Sequence, residues 1–415
     1  MGVYGGCNWI TAQRHDVGTW FYAWERFIPF VPLFIVPYMS IDLLFVAAPF
    51  VCRSREELRT FARRVVFVIL VAGACFLLFP LKLGIARPQT TGWLGALFGF
   101  LHGFDQPYNL FPSLHIALRT ILAEIYARHT RGWIRAASNV WFSLIGFSTL
   151  LTYQHHFVDV VGGFVLGLVS LQLIREGAYR LPGIPNCRVG TIYGAGAVLV
   201  GILVLPGWPW TSILLWPAIA LALTATAYFG VGPGTFRKQD GLLPFSARVL
   251  FAPNLAGQYV SLWYYRRQGA HWNQVTPRLW IGARLTEREA RDLARRGVTA
   301  VLDLTAEFSE VRAFRDLAYR NIPVLDLSRF TNAQLREAAD FIAGQSRCGV
   351  VYVHCKAGYS RTAAAAGAWL LASGQADSVD AALAVLRRSR PQMIFRPEVR
   401  RALEEFQRLP AGARV

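Results

Sequence analysis

Two groups of residues in this chain have the types and spacing that chemistry requires. The first is the run His354-Cys355-Lys356-Ala357-Gly358-Tyr359-Ser360-Arg361-Thr362. It lies between a β-type run and an Ala-rich apolar run. A loop that enters a helix N-terminus turns its backbone N–H groups into a bowl, and the helix dipole adds positive potential. A cysteine at the base of such a bowl is held as thiolate. An arginine at its rim grips two oxygens of a phosphate, and Gly358 permits the tight curvature. The implied chemistry is attack of Cys355 sulfur on a phosphate ester.

The second group is spread over three segments of the apolar half: Lys82 with Arg87-Pro88, Pro112-Ser113-Leu114-His115, and His155-His156-Phe157-Val158-Asp159. Each has an ordinary reading. Lys82 and Arg87 suit interfacial anchors, His115 a core histidine, and His155 with Asp159 a helix-end pair. Together they supply two cations, a hydroxyl, two histidines and a carboxylate. Phosphoryl transfer through a phosphohistidine needs such a set. Asp42 and Glu124 also fall inside apolar runs, where an acid is either functional or a polar packing partner.

The elements that carry these residues follow from composition. Of 415 residues, 54% are hydrophobic and 16% charged, well short of the roughly 25% charged of a soluble protein. Disorder and a single soluble domain are excluded. The net charge of +18 comes without a block of like charges, so anionic lipid and phosphorylated substrates are expected as partners rather than nucleic acid. Apolar runs of membrane length fall near 27–51, 65–81, 112–128, 134–153, 157–174, 189–206 and 210–230. Arginines gather in 52–64, 128–135 and 175–188, and Arg237-Lys238 follows the last run. These segments share one side if there are seven spans, which makes that side cytoplasmic and the N-terminus external. The second group of residues then lies on the outer side. A bacterial inner membrane suits the pattern, and no cleaved signal peptide is expected.

Residues 231–275 form a connector. Its aromatics and arginines, among them Trp263, Tyr264, Arg266 and Arg267, suit an amphipathic segment on the inner membrane surface or an ordinary linker. From Thr276 onward, β-type runs alternate with helical ones: strands over 278–282, 299–304, 322–326 and 349–354, and helices over 287–296, 333–345 and 362–373. That alternation predicts an α/β sheet domain. The six cysteines form no CxxC pair, which disfavours a disulfide framework or a zinc site. Lysine occurs only at 82, 238 and 356.

The apolar half resembles the type-2 phosphatidic acid phosphatase superfamily over roughly 25–230, whose pattern is K-x6-RP, PSGH and SR-x5-H-x3-D. The resemblance implies that Lys82, Arg87 and Ser113 bind phosphate, His115 protonates the leaving alkoxide, His155 attacks phosphorus and Asp159 orients it, with no metal or other cofactor. This chain departs from the pattern. Four residues separate Lys82 and Arg87, PSGH is PSLH, and Thr149 replaces an arginine although Ser148 is kept. The stretch from Thr152 to Gly163 is more similar to the branch containing inositol-phosphorylceramide synthases, which makes headgroup transfer an alternative. Arg119 either replaces the missing charge or forms an interhelical salt bridge.

The second half resembles the dual-specificity branch of the protein tyrosine phosphatase superfamily over roughly 275–410, through HCxxGxxR[S/T], the opening Pro277-Arg-Leu-Trp-Ile-Gly282 and the late Arg388-Ser-Arg-Pro391. By that resemblance Cys355 is the nucleophile, Arg361 and the loop around Gly358 bind the phosphoryl group, His354 supports the thiolate, and Thr362 assists its release. Asp326 is the expected general acid, with Asp303 the runner-up. The Cys-Lys-Ala-Gly start is similar to lipid-directed members, where Lys356 meets a second anionic group; Tyr359 departs from them. The free thiolate needs a reducing compartment, in keeping with the cytoplasmic side.

The expected architecture is an all-α polytopic membrane domain of about seven transmembrane helices (1–235), an amphipathic connector (236–274) and a soluble α/β dual-specificity-phosphatase domain (275–415). The expected function is a bifunctional phosphatase acting on lipid phosphates, with its two sites on opposite faces of a bilayer. A membrane-anchored protein phosphatase with a degenerate membrane half, or a headgroup transferase, are the alternatives.

Overall fold

The structure is a computed structural model that describes residues 2–104, 106–176, 183–206 and 210–409. Arg180, one of the loop arginines, lies outside them. The chain parts into two compact units, Met1–Ala178 and Tyr179–Val415.

The first unit is helical: α1 (Gly2–Ala12), α2 (Ile35–Val51), α3 (Arg55–Leu78), α4 (Gly92–Phe104), α5 (Leu114–His129), α6 (Gly132–Leu151) and α7 (Phe157–Leu173). Helices α2, α3, α5, α6 and α7 stand where the apolar runs predict them. Helices α1 and α4 were not foreseen. Both are rich in glycine and aromatics (GVYGGCNWITA and GWLGALFGFLHGF), a composition that reads as turns in isolation. Helix α3 also starts earlier than expected. Ser54 accepts the Glu57 N–H at its N-terminus, so most of the arginine-rich 52–64 segment is helix rather than loop.

Several polar residues inside this unit are paired. Arg64 bonds the Ile174 carbonyl (2.9 Å) and Glu124 (3.2 Å), and Glu124 also pairs with Arg128. Glu124 is therefore a packing partner. Asp42 is exposed on α2. Arg119 donates to the Phe142 carbonyl on α6 at 2.6 Å.

The second unit opens with α8 (Cys187–Ile202) and α9 (Leu215–Thr226), the latter extended by short helical turns into an apolar stretch Trp210–Val231. The connector folds into α10 (Phe245–Leu250) and α11 (Ala252–Arg266). The α/β domain follows as β1 (Trp272–Thr276), β2 (Leu279–Ala283), α12 (Glu287–Arg295), β3 (Val298–Thr305), α13 (Arg312–Arg315), β4 (Ala318–Val324), α14 (Asn332–Ser346), β5 (Val350–Cys355), α15 (Ser360–Ala372), α16 (Val379–Ser389) and α17 (Pro397–Gln407). The unit boundary thus joins α8 and α9 to the α/β domain, whereas the sequence reading places them with the other apolar helices.

The sheet order is β1-β2-β5-β3-β4, antiparallel only between β1 and β2. Alternation sorts its side chains. Leu279, Ile281, Leu302, Val351 and Val353 pack under α14–α17, while Trp280, Val301 and Tyr352 pack under α12 and Phe314 of α13. Capping boxes at Thr286 and Thr331 start α12 and α14, and Gly297 at φ +107° ends the turn after α12. Strand β5 is central, so its C-terminal end is the best-supported point of the sheet. Cys355 is its last residue.

Candidate active sites

At the end of β5 the chain turns through 356–359 into α15. Gly358 has φ +72°, and a Cβ there would meet the Gly282 backbone at 2.3 Å. Two constraints, left-handed backbone and close approach to β2, therefore require glycine. Arg390 fixes the outside of the loop, donating to the Gly358 carbonyl (3.0 Å), the Ala357 carbonyl (3.2 Å) and Asn273 (2.6 Å). The Lys356 carbonyl accepts the Arg284 N–H at 3.1 Å. Three successive loop carbonyls are thus tied down outside the bowl.

Cys355 and Arg361 are buried. Arg361 forms a two-pronged pair with Glu307 (Nη2–Oε1 2.7 Å, Nη1–Oε2 3.1 Å) and also donates to the Val324 carbonyl at 2.8 Å. Its Nη2 lies 3.5 Å from Asp326. Burial opposes ionisation of Cys355. The Arg361 guanidinium, with the hydroxyl and N–H of Thr362 beside the sulfur, outweighs it and brings the thiol below its ordinary value.

Asp326 follows β4 and faces both cations. Its Oδ2 is 2.7 Å from Lys356 Nζ, which also donates to Gln258 of α11 at 2.9 Å. Burial pushes the Asp326 carboxyl up, but Arg361 and then Lys356 hold it down at about 2. The alternative acid, Asp303, is fully buried in β3 and paired with Lys238, Tyr319 and Thr305, an arrangement that leaves it no access to the bowl. His354 sits beside Asp303 in register. Its Nε2 is 2.8 Å from Glu310. Burial disfavours the imidazolium, and Glu310 and Asp303 more than restore it, so its pKa rises.

Sequence reasoning missed Glu307, Glu310 and Lys238. The available signal was three acids with no basic residue among them, Asp303 inside a buried strand and Glu307 and Glu310 closely following it. Their partners come from elsewhere in the chain. Lys238, in the connector, is the partner of Asp303.

In the helical unit, the Ser113 N–H donates to the Asp159 carbonyl at 2.9 Å and joins the start of α5 to the start of α7. Ser113 caps α5 through the Ile116 N–H. Asp159 caps α7 through the His156 N–H at 2.8 Å, and lies 3.7 Å from His155 Nδ1. His115 stacks on Tyr38 (centroids 4.1 Å apart), and its buried Nε2 has no hydrogen-bond partner among the described residues. His155 lines a small pocket with Tyr153, Leu83 and Ile85. Arg87 Nε donates to the Tyr153 carbonyl at 3.2 Å, so this half of the 82–88 segment joins the histidines. Lys82 is exposed. Buried Thr149 offers its carbonyl to the N–H groups of Gln154 and His155.

An unforeseen pair completes this region. Buried Glu25 lies 3.2 Å from His156 Nδ1 and accepts the Phe157 N–H at 2.9 Å, while His156 Nε2 accepts the Gly84 N–H at 3.0 Å. Both histidines line the pocket, but both ring nitrogens of His156 are engaged in the scaffold, whereas His155 Nδ1 has no hydrogen-bond partner among the described residues.

Residues 26–173 match the PAP2 superfamily, and residues 279–409 match the dual specificity phosphatase catalytic domain. The phosphatidylglycerophosphate phosphatase PTPMT2 of Arabidopsis thaliana is 28% identical over 180 residues, which are 42% of this chain and 78% of that protein. Among solved structures, PTPMT1 in complex with PI(5)P is 22% identical, covering 33% of this chain and 95% of its own, with a TM-score of 0.31. The active form of Tk-PTP is 26% identical, covering 34% and 98%, with a TM-score of 0.31. The chain is a phosphatase in which one segment matches the PAP2 superfamily and a later one matches the dual specificity phosphatase catalytic domain.

Proposed function

We propose that this protein is a membrane-bound phosphatase that hydrolyses lipid phosphate monoesters through a phosphocysteine at Cys355. The observation that carries this reading is the end of β5, where a buried Cys355 of lowered pKa shares a bowl with Arg361, Lys356 and Asp326. Cys355 attacks phosphorus, Arg361 and the loop around Gly358 hold the phosphoryl oxygens, and Asp326 protonates the departing oxygen. His354 supports the thiolate, Thr362 assists hydrolysis of the intermediate, and Lys356 meets a second anionic group.

Lipid is favoured over phosphoprotein because apolar helices share a unit with this domain. The connector helix α11 exposes Val260, Trp263 and Tyr264, with Arg267 stacked 3.7 Å over Trp263, which suits an interfacial surface. The matched relative is named for a phospholipid substrate. Three helical stretches, Pro32–Val51, Arg55–Leu78 and Trp210–Val231, are long and apolar enough to span a bilayer. We read α5, α6, α7 and α8 as the remaining spans, with an external N-terminus, a cytoplasmic phosphatase domain and a bacterial inner membrane. Helix α2 supports this by exposing Leu43, Val46 and Phe50.

In the same reading the helical unit is a second, phosphohistidine site. His155 is nucleophile, Asp159 its partner, His115 the acid, and Arg87, Ser113 and Lys82 hold phosphate. The exposure of Lys82 favours one rival, in which this unit is an anchor only. Phosphate release by detergent-purified protein from phosphatidic acid, phosphatidylglycerophosphate and a phosphotyrosine peptide tests both. Lipid turnover divided between Cys355→Ser and His155→Ala supports two working sites. Complete loss in Cys355→Ser, with peptide preferred over lipid, supports the anchor.

A further inference from the structure

Helix α8 packs on α9 through glycines. A Cβ at Gly190 would meet the Phe229 ring at 3.0 Å, at Gly194 the Ala225 methyl at 3.9 Å, and at Gly196 Leu221 at 3.7 Å. The descending partner numbers show an antiparallel hairpin. Small residues at this spacing let two apolar helices approach closely. At the open end of the hairpin, the Asn186 N–H donates to the Tyr228 carbonyl at 3.0 Å, and Tyr193 stacks on Tyr228 (centroids 5.5 Å, 12° between planes).

Both end residues then reach the loop after β4. Tyr228 Oη donates to the Asp326 carbonyl at 2.8 Å, and Asn186 Nδ2 donates to the Leu327 carbonyl at 2.7 Å. Leu327 has φ +62°. A branched residue holds left-handed backbone only where its surroundings impose it, and these two bonds grip it from both sides. The catalytic duty of Asp326 depends on where this backbone points its carboxyl.

We propose that the α8–α9 hairpin positions the general acid of the phosphatase site, with Tyr228 and Asn186 as positioning residues that act only through Asp326. This rests on the reading of Asp326 as that acid. When Cys355 sulfur bonds to phosphorus, the P–O bond to the leaving group breaks and its electron pair stays on oxygen. An alkoxide from a lipid glycerol must take the Asp326 proton. A nitrophenolate leaves without it. Water then displaces phosphate from sulfur and returns a proton to Asp326. A displaced acid therefore slows alkyl phosphates selectively.

The test uses the full chain in detergent on a His155→Ala background, so that only the Cys355 site turns over, with dioctanoyl phosphatidic acid and p-nitrophenyl phosphate as substrates. The variants are Tyr228→Phe, Asn186→Ala and Asp326→Asn, and Tyr228→Phe combined with Asp326→Asn. Each positioning variant is expected to lose about 3- to 10-fold in kcat on the lipid, the scale of one hydrogen bond, and under about 2-fold on the aryl ester. On the Asp326→Asn background, Tyr228→Phe is expected to add nothing. Equal losses on both substrates, or a further loss on that background, overturn the proposal. If Asp326→Asn is selective for the lipid while Tyr228→Phe and Asn186→Ala are silent, the positioning role alone fails. If Asp326→Asn slows both substrates equally, the acid assignment fails and the positioning role falls with it. Tyr228→Phe keeps the stacked ring, so the fold survives at least this variant.

Discussion

Lys356 Nζ lies 2.7 Å from Asp326 Oδ2, while the other oxygen of that carboxylate lies 3.5 Å from Arg361. The expected general acid thus rests between two cations that a phosphate substrate would also attract. Each cation favours the carboxylate, and together they override burial and hold Asp326 at about 2.

Removing one of the cations moves Asp326 in a known direction. In Lys356→Met the carboxylate loses part of its stabilisation and its pKa rises. Asp326 then stays protonated to higher pH, and the limb of kcat/KM that reports it moves up by about one pH unit. The limb set by Cys355 stays in place, because Arg361 and Thr362 control that thiol. A pH–rate profile with p-nitrophenyl phosphate and a lipid phosphate reads both limbs. An unmoved Asp326 limb would mean that Lys356 does not govern the acid.

The pair of Glu307 with Arg361 makes a second prediction. Two bonds of 2.7 and 3.1 Å fix the plane of a buried guanidinium. Glu307→Gln keeps the size and removes the charge, so Arg361 loses its orientation. We expect kcat/KM to fall about 100-fold, the scale of a misplaced binding group. Stability should fall by about 3 kcal/mol, since a buried charge loses its partner. Activity within twofold of wild type would show that Asp326 and the Val324 carbonyl suffice to orient Arg361.

The geometry of the loop from Cys355 to Arg361 was legible because its sequence signals are local. Cysteine, glycine and arginine must occupy fixed places between one strand and one helix, and the structure has that strand, loop and helix. The βα order was legible for the same reason, since alternation and capping residues are short-range signals. Glu307, Glu310 and Lys238 were not, because their partners are far away in sequence and each reads alone as a surface charge. Helices α1 and α4 were hidden by glycine and aromatic content that only packing overrides, as where Gly73 of α3 lies against Val3 of α1. Boundaries were the weakest part. The arginines of 52–64 look like a loop, and only the cap at Ser54 shows that the helix begins among them.

Lys238 has a structural consequence that pH should reveal. Its ammonium is buried against Asp303, which also takes bonds from Tyr319 and Thr305. Asp303 is held far below its usual range, with burial opposing and Lys238 the largest favourable influence. A depressed carboxylate contributes stability above its unfolded pKa, near 3.9, and that contribution is lost as pH falls through the folded value. In Lys238→Met the folded value rises, so the carboxylate contributes less and its loss on acidification is smaller and complete at a higher pH. Near neutrality the variant should be less stable by about 3 kcal/mol. Thermal unfolding between pH 2 and 7 measures both effects. Parallel wild-type and variant curves would sink this account.

The helical unit allows a test by trapping. His155 faces the small pocket, with Asp159 3.7 Å from its Nδ1 and Glu25 holding the neighbouring His156. A phosphohistidine is acid-labile and base-stable, whereas a phosphocysteine or phosphoserine behaves differently. In a Cys355→Ser background, radiolabelled phosphatidic acid should leave an acid-labile label on the protein. His155→Ala should abolish that label. His156→Ala should instead destabilise the fold, because His156 bridges Glu25 and the Gly84 N–H. Asp159→Asn should slow labelling about 100-fold by releasing the ring, and should lower stability by about 1 kcal/mol through weakening the cap on α7. His115→Ala should slow labelling by an alkyl phosphate about 100-fold while leaving His155 intact. If no acid-labile label forms, or if it survives His155→Ala, the phosphohistidine reading fails and this unit serves as an anchor for the Cys355 site.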